Sequence, residues 1–406
     1  MVLSQNNTIF YKETLEKLKD DNLYRELKTF DINKDLALKY RNNTDKTYVI
    51  NFSSNDYLGL STNKKIISKL NKIIEFQISS CSSRLISGTT TKIKKLEKNL
   101  SLHRQTQTSL VFPTGYMANL GVLGAISDKN TVIFSDKLNH ASIIDGCKLS
   151  QAQIKIFDHN DFLKLEQMVK KKDNDTNIKK KIIITEGIFS MDGDFSCLNE
   201  ITKIAKEYDC ILIVDDAHGD FIIGDKDKKK FSGTPSFFGV NSDVDIHISS
   251  LSKGLGCFGG YISSSDIICD YIINKSRPFI FTSALPDFLC DLASISLNLV
   301  NVGMLQKELY KNIDFFYKIL EEFGLGSINK NRFSPIIPII LGSEKRAVET
   351  SSILLKKGFF IQAIRYPTVE KNKARLRVSI SASHTESQII QFIKTLSKIM
   401  IKSKKI

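Results

Sequence analysis

The chain has 406 residues, of which 42% are hydrophobic and 25% are charged, and its formal net charge is +14. This is an ordinary globular composition, with enough length for more than one domain, and its longest apolar runs, such as residues 337–341, are too short to span a bilayer. The seven cysteines stand singly, and the N-terminus turns polar within four residues. We therefore expect a reduced, cytoplasmic protein without a metal site, a membrane segment or a nucleic-acid partner.

The first part of the chain, to about Tyr40, is rich in lysine and has helical spacing. We predict that residues 1–45 form a helical segment. From Tyr48 onward, short β-branched runs alternate with helical patterns, which predicts an α/β domain with a mostly parallel sheet and helices on both faces. In this domain, over residues 46–286, the predicted strands are 109–112, 131–134, 154–157, 182–185, 211–214, 246–249 and 260–263, and the predicted helices are 117–126, 142–149, 162–172 and 198–208.

The remainder of the chain changes its pattern after Pro286. A long helical region runs to about Phe323, and two strands follow at 336–341 and 375–380, with helices between and after them. We interpret residues 287–406 as a smaller C-terminal α+β domain.

Functional side chains follow four of the predicted strands. The strand 211–214 leads to Asp215 and His218, 182–185 leads to Ser190, 131–134 leads to His140, and 246–249 leads to Lys253. Ligands bind at the carboxyl ends of the strands in open α/β sheets. Each residue taken alone is compatible with a structural role, such as a helix cap, but together they predict an active site at one edge of the sheet.

Pyridoxal-5′-phosphate (PLP) chemistry needs this set of groups. A lysine must form an imine with the cofactor aldehyde, and a carboxylate must keep the pyridine nitrogen protonated so that the ring accepts electrons. We predict Lys253 for the first role and Asp215 for the second. Residues 111–116, between a strand and a helix, offer backbone N–H groups for a phosphate.

Two motifs on the loop around Lys253 suggest other chemistry. Residues 254–259 match the dinucleotide-binding pattern GxGxxG, but a strand follows them where that pattern requires a helix. Residues 250–253 match SxxK, but the SDN and KTG motifs of penicillin-binding enzymes are missing from the sequence. We interpret the glycines as room for a bulky cofactor beside the backbone.

Several longer strings carry a family resemblance: NFSSNDYLGL at 51–60, TEGIFSMDGD at 185–194, VDDAHG at 214–219 and FTSALP at 281–286. Together they resemble the α-oxoamine synthases, a family of fold-type-I PLP-dependent transferases. The strings AIRYPTV at 363–369, ARLR at 374–377 and SASH at 381–384 resemble most closely the members that condense L-alanine with a pimeloyl thioester to give 8-amino-7-oxononanoate, a step of biotin synthesis.

The resemblance implies a role for each matching residue. The cofactor-ring contacts that it implies are Lys253 at the imine, Asp215 at the ring nitrogen, His218 and Ser190 at the phenolic oxygen, and His140 stacked on the ring. The phosphate contacts that it implies are Gly115, Tyr116, Ser250 and, from the other subunit, Thr282. A contribution of Thr282 across the interface implies a homodimer.

The substrate-binding residues that the resemblance implies are Arg377, Asn55 and Arg25. Arg377 matches the arginine that holds the amino acid carboxylate. Because side chains alternate along a strand, Arg375 and Arg377 share one face, and periodicity alone does not choose between them.

Other activities remain open from the sequence. A related enzyme would use glycine, as a glycine C-acetyltransferase (2-amino-3-oxobutanoate CoA ligase) or a 5-aminolevulinate synthase does. A signal synthase would join a small amino acid to another medium-chain acyl thioester. A non-enzymatic subunit of the same fold is disfavoured because Lys253 is present. The acyl carrier is either coenzyme A or an acyl carrier protein.

Overall fold

The computed structural model describes residues 5–32, 37–41, 46–70, 78–225, 230–325 and 331–403. The helices are α1 (Gln5–Asp20), α2 (Lys64–Leu70), α3 (Thr91–Arg104), α4 (Gly115–Ile126), α5 (Ala141–Leu149), α6 (Phe162–Asp173), α7 (Leu198–Glu207), α8 (Thr234–Phe237), α9 (Asp266–Lys275), α10 (Arg277–Ile280), α11 (Asp287–Val300), α12 (Met304–Glu322), α13 (Glu344–Lys356) and α14 (Glu386–Ser403). The strands are β1 (Thr29–Ile32), β2 (Ala37–Arg41), β3 (Lys46–Asn51), β4 (Thr108–Phe112), β5 (Thr131–Asp136), β6 (Gln153–Phe157), β7 (Lys180–Glu186), β8 (Ile211–Asp215), β9 (Ile246–Ser250), β10 (Gly260–Ser264), β11 (Ile336–Gly342), β12 (Phe359–Phe360), β13 (Ala363–Ile364) and β14 (Ala374–Ser379).

The chain divides into two units, each assembled from separate stretches of sequence. The large unit comprises Asn55–Ser190 and Asp194–Leu309, and the small unit comprises Met1–Ser54, Met191–Gly193 and Tyr310–Ile406. The boundaries expected near residues 45 and 286 stay predictions of the sequence.

A seven-stranded sheet in the order β4-β10-β9-β8-β7-β5-β6 forms the centre of the large unit. Strands β6, β5, β7, β8 and β9 pair in parallel, whereas β10 is antiparallel to both β9 and β4. The predicted α/β fold with a mostly parallel sheet is therefore confirmed. The register places Glu186 beside Asp215, at the carboxyl ends of adjacent parallel strands.

Helices bury both faces of this sheet. Ile182 and Ile184 point to one face, where they pack with residues of α4 and α5 such as Leu123. Ile183 points to the opposite face, with residues of α6 and α7 such as Leu165. Burial on both faces explains why these strands are continuous apolar runs and could be identified from the sequence.

The small unit contains a four-stranded sheet in the order β1-β2-β3-β12 and a three-stranded sheet in the order β11-β14-β13. The predicted helical segment is wrong beyond α1, because β1 and β2 form an antiparallel pair with Thr29 opposite Arg41. Aromatic packing favours the strands: the ring of Phe30 lies 5.4 Å from that of Tyr40 and 4.6 Å from that of Phe360. Residues 33–36 and 42–45 of the predicted segment lie outside the described residues.

The helical region predicted after Pro286 consists of two helices. The first ends at Val300 and the second begins at Met304, directly after Gly303, whose φ of +80° suits glycine. Within the described ranges no single helix has the length and apolar character needed to cross a membrane, although the bent pair α11 and α12 meets both criteria when taken together.

Candidate active site

The carboxyl ends of the parallel strands surround a cavity of about 200 Å³ in the large unit. The predicted cofactor residues that line it are Lys253, Asp215, His218, His140, Gly115, Tyr116 and Ser250. The remaining lining residues are Thr114, Asn119, Ser142, Glu186, Ala217 and Ser252. The structure thus brings together the amine, the carboxylate and the two imidazoles that the strand-end pattern predicted.

Lys253 begins a chain of hydrogen bonds that ends at Asn55. Its Nζ lies 3.0 Å from Nε2 of His218, and Nδ1 of His218 lies 2.7 Å from the hydroxyl of Tyr57. Tyr57 donates its hydroxyl hydrogen to Oδ1 of Asn55 at 3.1 Å. Tyr57 must therefore accept from Nδ1–H of His218, which leaves the lone pair of Nε2 facing the amine of Lys253.

Asp215 is 7% exposed and is held by two donors. Its Oδ1 accepts the backbone N–H of Ala217 at 3.1 Å, and its Oδ2 accepts Nδ2 of Asn119 at 2.6 Å. These bonds fix the plane of the carboxylate but leave lone pairs on both oxygens. The carboxylate can therefore accept a further N–H from a ligand in the cavity.

His140 caps the N-terminus of α5. Its Nδ1 accepts the backbone N–H of Ser142 at 3.2 Å and lies 2.8 Å from the hydroxyl of the same residue. Burial lowers the pKa of His140, more than the charge of Asp215 raises it. The imidazole is consequently a neutral, flat group in the cavity wall.

The N-terminus of α4 lies in the cavity wall, where the first N–H groups of a helix suit an anion. Thr114 caps the helix by accepting the N–H of Met117 at 3.1 Å, and the first N–H groups of the helix follow at Gly115. Strand β10 passes directly against this turn, where a Cβ on Gly260 would lie 2.3 Å from the nitrogen of Gly115. Only glycine allows that approach.

Glu186 lies beside Asp215 and was not among the predicted site residues. Its carboxyl is 3% exposed and receives backbone N–H groups of His140 and Ser190, while its Oε1 has no hydrogen-bond partner among the described residues. Burial, followed by the charge of Asp215, raises the pKa of Glu186 well above its usual range. Burial and the neighbouring charge of Asp215 therefore both favour the protonated form of Glu186.

A buried ion network holds the segment that carries Asp215 and His218. Asp216 is fully buried and accepts NH1 of Arg104 at 3.0 Å, together with the N–H and the hydroxyl of Thr234 at 2.9 and 2.6 Å. NH2 of the same arginine lies 3.3 Å from Asp220. Asp216 is therefore occupied by structural contacts, in contrast to its neighbour Asp215.

Two predicted cofactor residues do not line the cavity. Ser190 follows β7 by four residues, in the turn whose Phe189 N–H donates to the carbonyl of Asp194 at 3.0 Å. Thr282 follows α10 and donates its hydroxyl to the carbonyl of Pro278 at 2.5 Å. Their roles at the phenolic oxygen and in a partner subunit stay predictions.

The predicted substrate arginines belong to the small unit. Arg377 is 7% exposed on β14 and donates to Ser379 Oγ at 2.9 Å. Arg375, on the same strand face, forms a close ion pair with Asp192 and also donates to the carbonyl of Met191 at 3.3 Å. Arg375 therefore has a structural ion pair, and the assignment of Arg377 to the substrate carboxylate stays a prediction.

Arg25 lines a second cavity, of about 830 Å³, within the small unit. Arg365 lies in the same wall and donates to the carbonyls of Asn22 and Tyr24, which fastens the segment that carries Arg25. The charge of Arg25 adds to burial in lowering the pKa of Arg365. The two guanidinium groups make this cavity suitable for an anionic group.

The donor set of the first cavity fits PLP. Lys253 offers the amine, Asp215 offers an oriented carboxylate for a ring N–H, His140 offers a flat neutral face, and the start of α4 offers N–H groups for a phosphate.

Comparison with known proteins agrees with this fit. Residues 47–396 match the family Aminotransferase class I and II. The chain is 36% identical to 8-amino-7-oxononanoate synthase of Thermoanaerobacter pseudethanolicus over 96% of both chains. Among solved structures it resembles serine palmitoyltransferase of Sphingomonas wittichii (TM-score 0.89, 26% identity, 100% of both chains) and 8-amino-7-oxononanoate synthase of Francisella tularensis (TM-score 0.72, 30% identity, 88% of this chain and 99% of that one).

A family match over most of the chain and a full-length relative above 30% identity agree with the fold and with the donor set of the cavity. The chain belongs to the aminotransferase class I and II family and is a PLP-dependent transferase of the acyltransferase type.

Proposed function

We propose that this protein condenses L-alanine with a pimeloyl thioester, releasing CO₂ and the free thiol and forming 8-amino-7-oxononanoate. The observation that carries the proposal is the position of the Lys253 amine, 3.0 Å from His218 in the cavity that Asp215 also lines. The choice of substrates is supported by the names of relatives at 34–39% identity, among them that of Bacillus subtilis.

When bound, PLP supplies an aldehyde for imine formation and a ring that accepts electrons from the substrate Cα. Lys253 is the base that removes the Cα proton of alanine and later returns a proton to the product. Because Nε2 of His218 carries a lone pair, it accepts an N–H of the lysine and helps to orient the amine. Asp215 would hold a proton at the ring nitrogen and so keep the ring able to accept electrons.

The remaining residues bind and orient. His140 would cover one face of the ring, Ser190 and His218 would lie at its phenolic oxygen, and the start of α4 with Ser250 would hold the phosphate. Arg377 binds the carboxylate of alanine in a bidentate fashion, and Asn55 also contacts the amino acid. Arg25, in the basic cavity of the small unit, binds the acyl substrate.

We also propose a homodimer in which Thr282 completes the phosphate site of the partner subunit. Its position outside the cavity of its own chain supports this arrangement. Thr282→Ala would then weaken cofactor binding although the residue does not line that cavity. Mixed dimers of Thr282→Ala and Lys253→Ala subunits test whether one site uses both chains. Each heterodimer would contain one wild-type site, so the mixture should regain about a quarter of the wild-type sites after random pairing and about a half if all dimers are mixed.

The cofactor assignment is tested by borohydride reduction of the yellow protein, digestion and mass spectrometry. The label should lie on the peptide that contains Lys253, and Lys253→Ala should bind cofactor only non-covalently and lose turnover. Lys275→Ala, at the end of α9, is the control and should keep both properties. Labelling at another lysine would refute the assignment.

The substrate assignment is tested separately by product analysis. L-Alanine, glycine and L-serine should be offered with pimeloyl, acetyl and palmitoyl thioesters, on coenzyme A and on an acyl carrier protein. Alanine with a pimeloyl thioester should give the highest kcat/KM. A preference for glycine with acetyl-CoA would identify a glycine C-acetyltransferase instead.

A further inference from the structure

A continuous hydrogen-bond chain joins Asp215 to His140 inside the large unit. Nδ2 of Asn119 donates to Oδ2 of Asp215 at 2.6 Å and to the hydroxyl of Ser142 at 2.9 Å. The hydroxyl of Ser142 in turn lies 2.8 Å from Nδ1 of His140. Asn119 and Ser142 are each 1% exposed, so water does not compete for these bonds.

The direction of every bond in this chain is determined. A carboxylate only accepts, so Asn119 must present its NH₂ group to Asp215, and both amide hydrogens are then used. Its Oδ1 consequently stays without a hydrogen-bond partner among the described residues. Since Ser142 accepts from Asn119, its own hydroxyl hydrogen is available for His140.

The imidazole therefore has one tautomer. Nδ1 of His140 faces the hydroxyl of Ser142 and also its backbone N–H at 3.2 Å, and a backbone N–H can only donate. Nδ1 must hold a lone pair, so the ring proton sits on Nε2. The charged or titratable groups around this imidazole include Asp215, Lys253, Asp145 and Tyr116, whose ring lies edge-on at 6.1 Å, and Glu186 lies against its backbone.

We propose that Asn119 and Ser142 are positioning residues, which fix the Asp215 carboxylate and hold His140 as the neutral Nε2–H tautomer. This inference rests on the roles proposed above for Asp215 and His140. Its physical reason is charge: Asp215 keeps the cofactor ring nitrogen positive, and a protonated imidazole stacked on that ring would oppose it. The hydrogen bonds through Asn119 and Ser142 link Asp215 to His140. An anionic Asp215 and a neutral His140 would both favour a positively charged ring nitrogen.

The first test measures His140 directly by NMR of protein labelled with ¹⁵N-histidine, both free and loaded with cofactor. The chain has six histidines, and the signals lost in His140→Asn assign the residue. We expect one tautomer with an unprotonated Nδ1 across pH 6–9 in the wild type. Asn119→Ala and Ser142→Ala should each give averaged ring-nitrogen shifts, showing a mixture of tautomers, and a measurable titration.

The second test measures cofactor dissociation. Loss of one hydrogen bond to a charged group should weaken cofactor binding about 10- to 100-fold in Asn119→Ala. Asn119→Asp should bind the cofactor still more weakly. The difference in cofactor affinity between this variant and the wild type should shrink as the pH falls, because a protonated carboxyl can again donate to Asp215. The double variant with Ser142→Ala should lose less than the sum of the two single variants.

Asn312→Ala is the control for a purely structural role. This asparagine is also buried and donates to the carbonyls of Ser381 and His384 at 3.0 and 2.8 Å, in the small unit. The Asn312→Ala variant should have a lower Tm and unchanged His140 signals. If Asn119→Ala behaves in the same way, with unchanged tautomer and cofactor affinity, the inference is wrong while Lys253 labelling still supports the function. Absence of label on Lys253 would refute the function itself.

Discussion

His159 joins two acidic side chains at the edge of the parallel sheet and gives a sharp pH prediction. Its Nδ1 lies 3.1 Å from Asp136, at the end of β5, and its Nε2 lies 2.8 Å from Asp194, in the turn after Ser190. Burial lowers the pKa of His159, but the hydrogen bonds and charges of the two carboxylates outweigh it and raise the pKa to about 10. The imidazole is therefore a cation across the neutral pH range.

The magnitude follows from linkage. The pKa rises from 6.5 in the unfolded chain to about 10 in the folded protein, and each pKa unit corresponds to about 1.4 kcal/mol. The contribution is thus at most about 5 kcal/mol, and less in practice because 22% of the side chain is exposed. Because the folded pKa is the higher one, this stability is complete below pH 6.5 and disappears as the pH rises to about 10.

The assay compares wild type with His159→Gln in urea unfolding at pH 6, 8 and 10, together with NMR titration of His159. The variant should be least stable relative to wild type at pH 6, and the difference should shrink by roughly 1.4 kcal/mol for each pH unit. Lys137→Gln is the control, since its ion pair with Asp158 is mostly exposed and contributes below about 1 kcal/mol. A His159 that titrates near pH 6.5, or a difference independent of pH, would refute the reasoning.

Three further predictions concern the site and the strand that carries Arg377. Arg377→Ala should raise the KM for alanine about 100-fold with little change for the acyl donor, whereas Arg375→Ala should lower Tm through loss of its ion pair; equal effects on the alanine KM would contradict this division. Asp215→Asn should lower kcat by several orders of magnitude at nearly constant Tm, whereas Asp216→Asn should mainly destabilise the fold; steady-state kinetics and thermal unfolding separate the two. Glu186→Gln should match or exceed wild-type Tm at pH 8 and lose that advantage towards pH 4.5, since a raised folded pKa costs stability above the unfolded value; a large loss of Tm at pH 8 would show that Glu186 must be ionised.

Much of the large unit could be predicted because its strands are buried on both faces. Short β-branched runs such as Ile182–Ile184 are typical of strands buried on both faces, and the parallel arrangement then places their polar ends together. The N-terminal hairpin was missed because its stabilising partner, Phe360, lies far along the sequence from Phe30. A lysine-rich segment with weak periodicity shows no sign of such a partner.

The site residues that sequence analysis missed are those that act on other side chains. Asn119 contacts Asp215 across 96 positions of sequence, and Tyr57 contacts His218 across 161. Neither contact can be inferred from the spacing of the residues in the sequence. A signal was nevertheless available, because Asn119 is the one amide side chain in the apolar helix α4, and a buried amide there needs partners. The ion pair of Arg375 with Asp192 likewise could not be inferred from the strand pattern, in which Arg375 and Arg377 share one face.

The pairing of β3 with β12 has a consequence for synthesis on the ribosome. Phe359 lies opposite Ile50 in this parallel pair, and Gln362 donates its N–H to Ser53, 309 positions earlier. Strand β3 is therefore made early but keeps one unpaired edge until almost the whole chain has been translated. The hairpin β1–β2 covers only its other edge. A ribosome stalled before residue 359 would present an open strand edge to other nascent chains, so aggregation of this protein should begin at its N-terminal sheet.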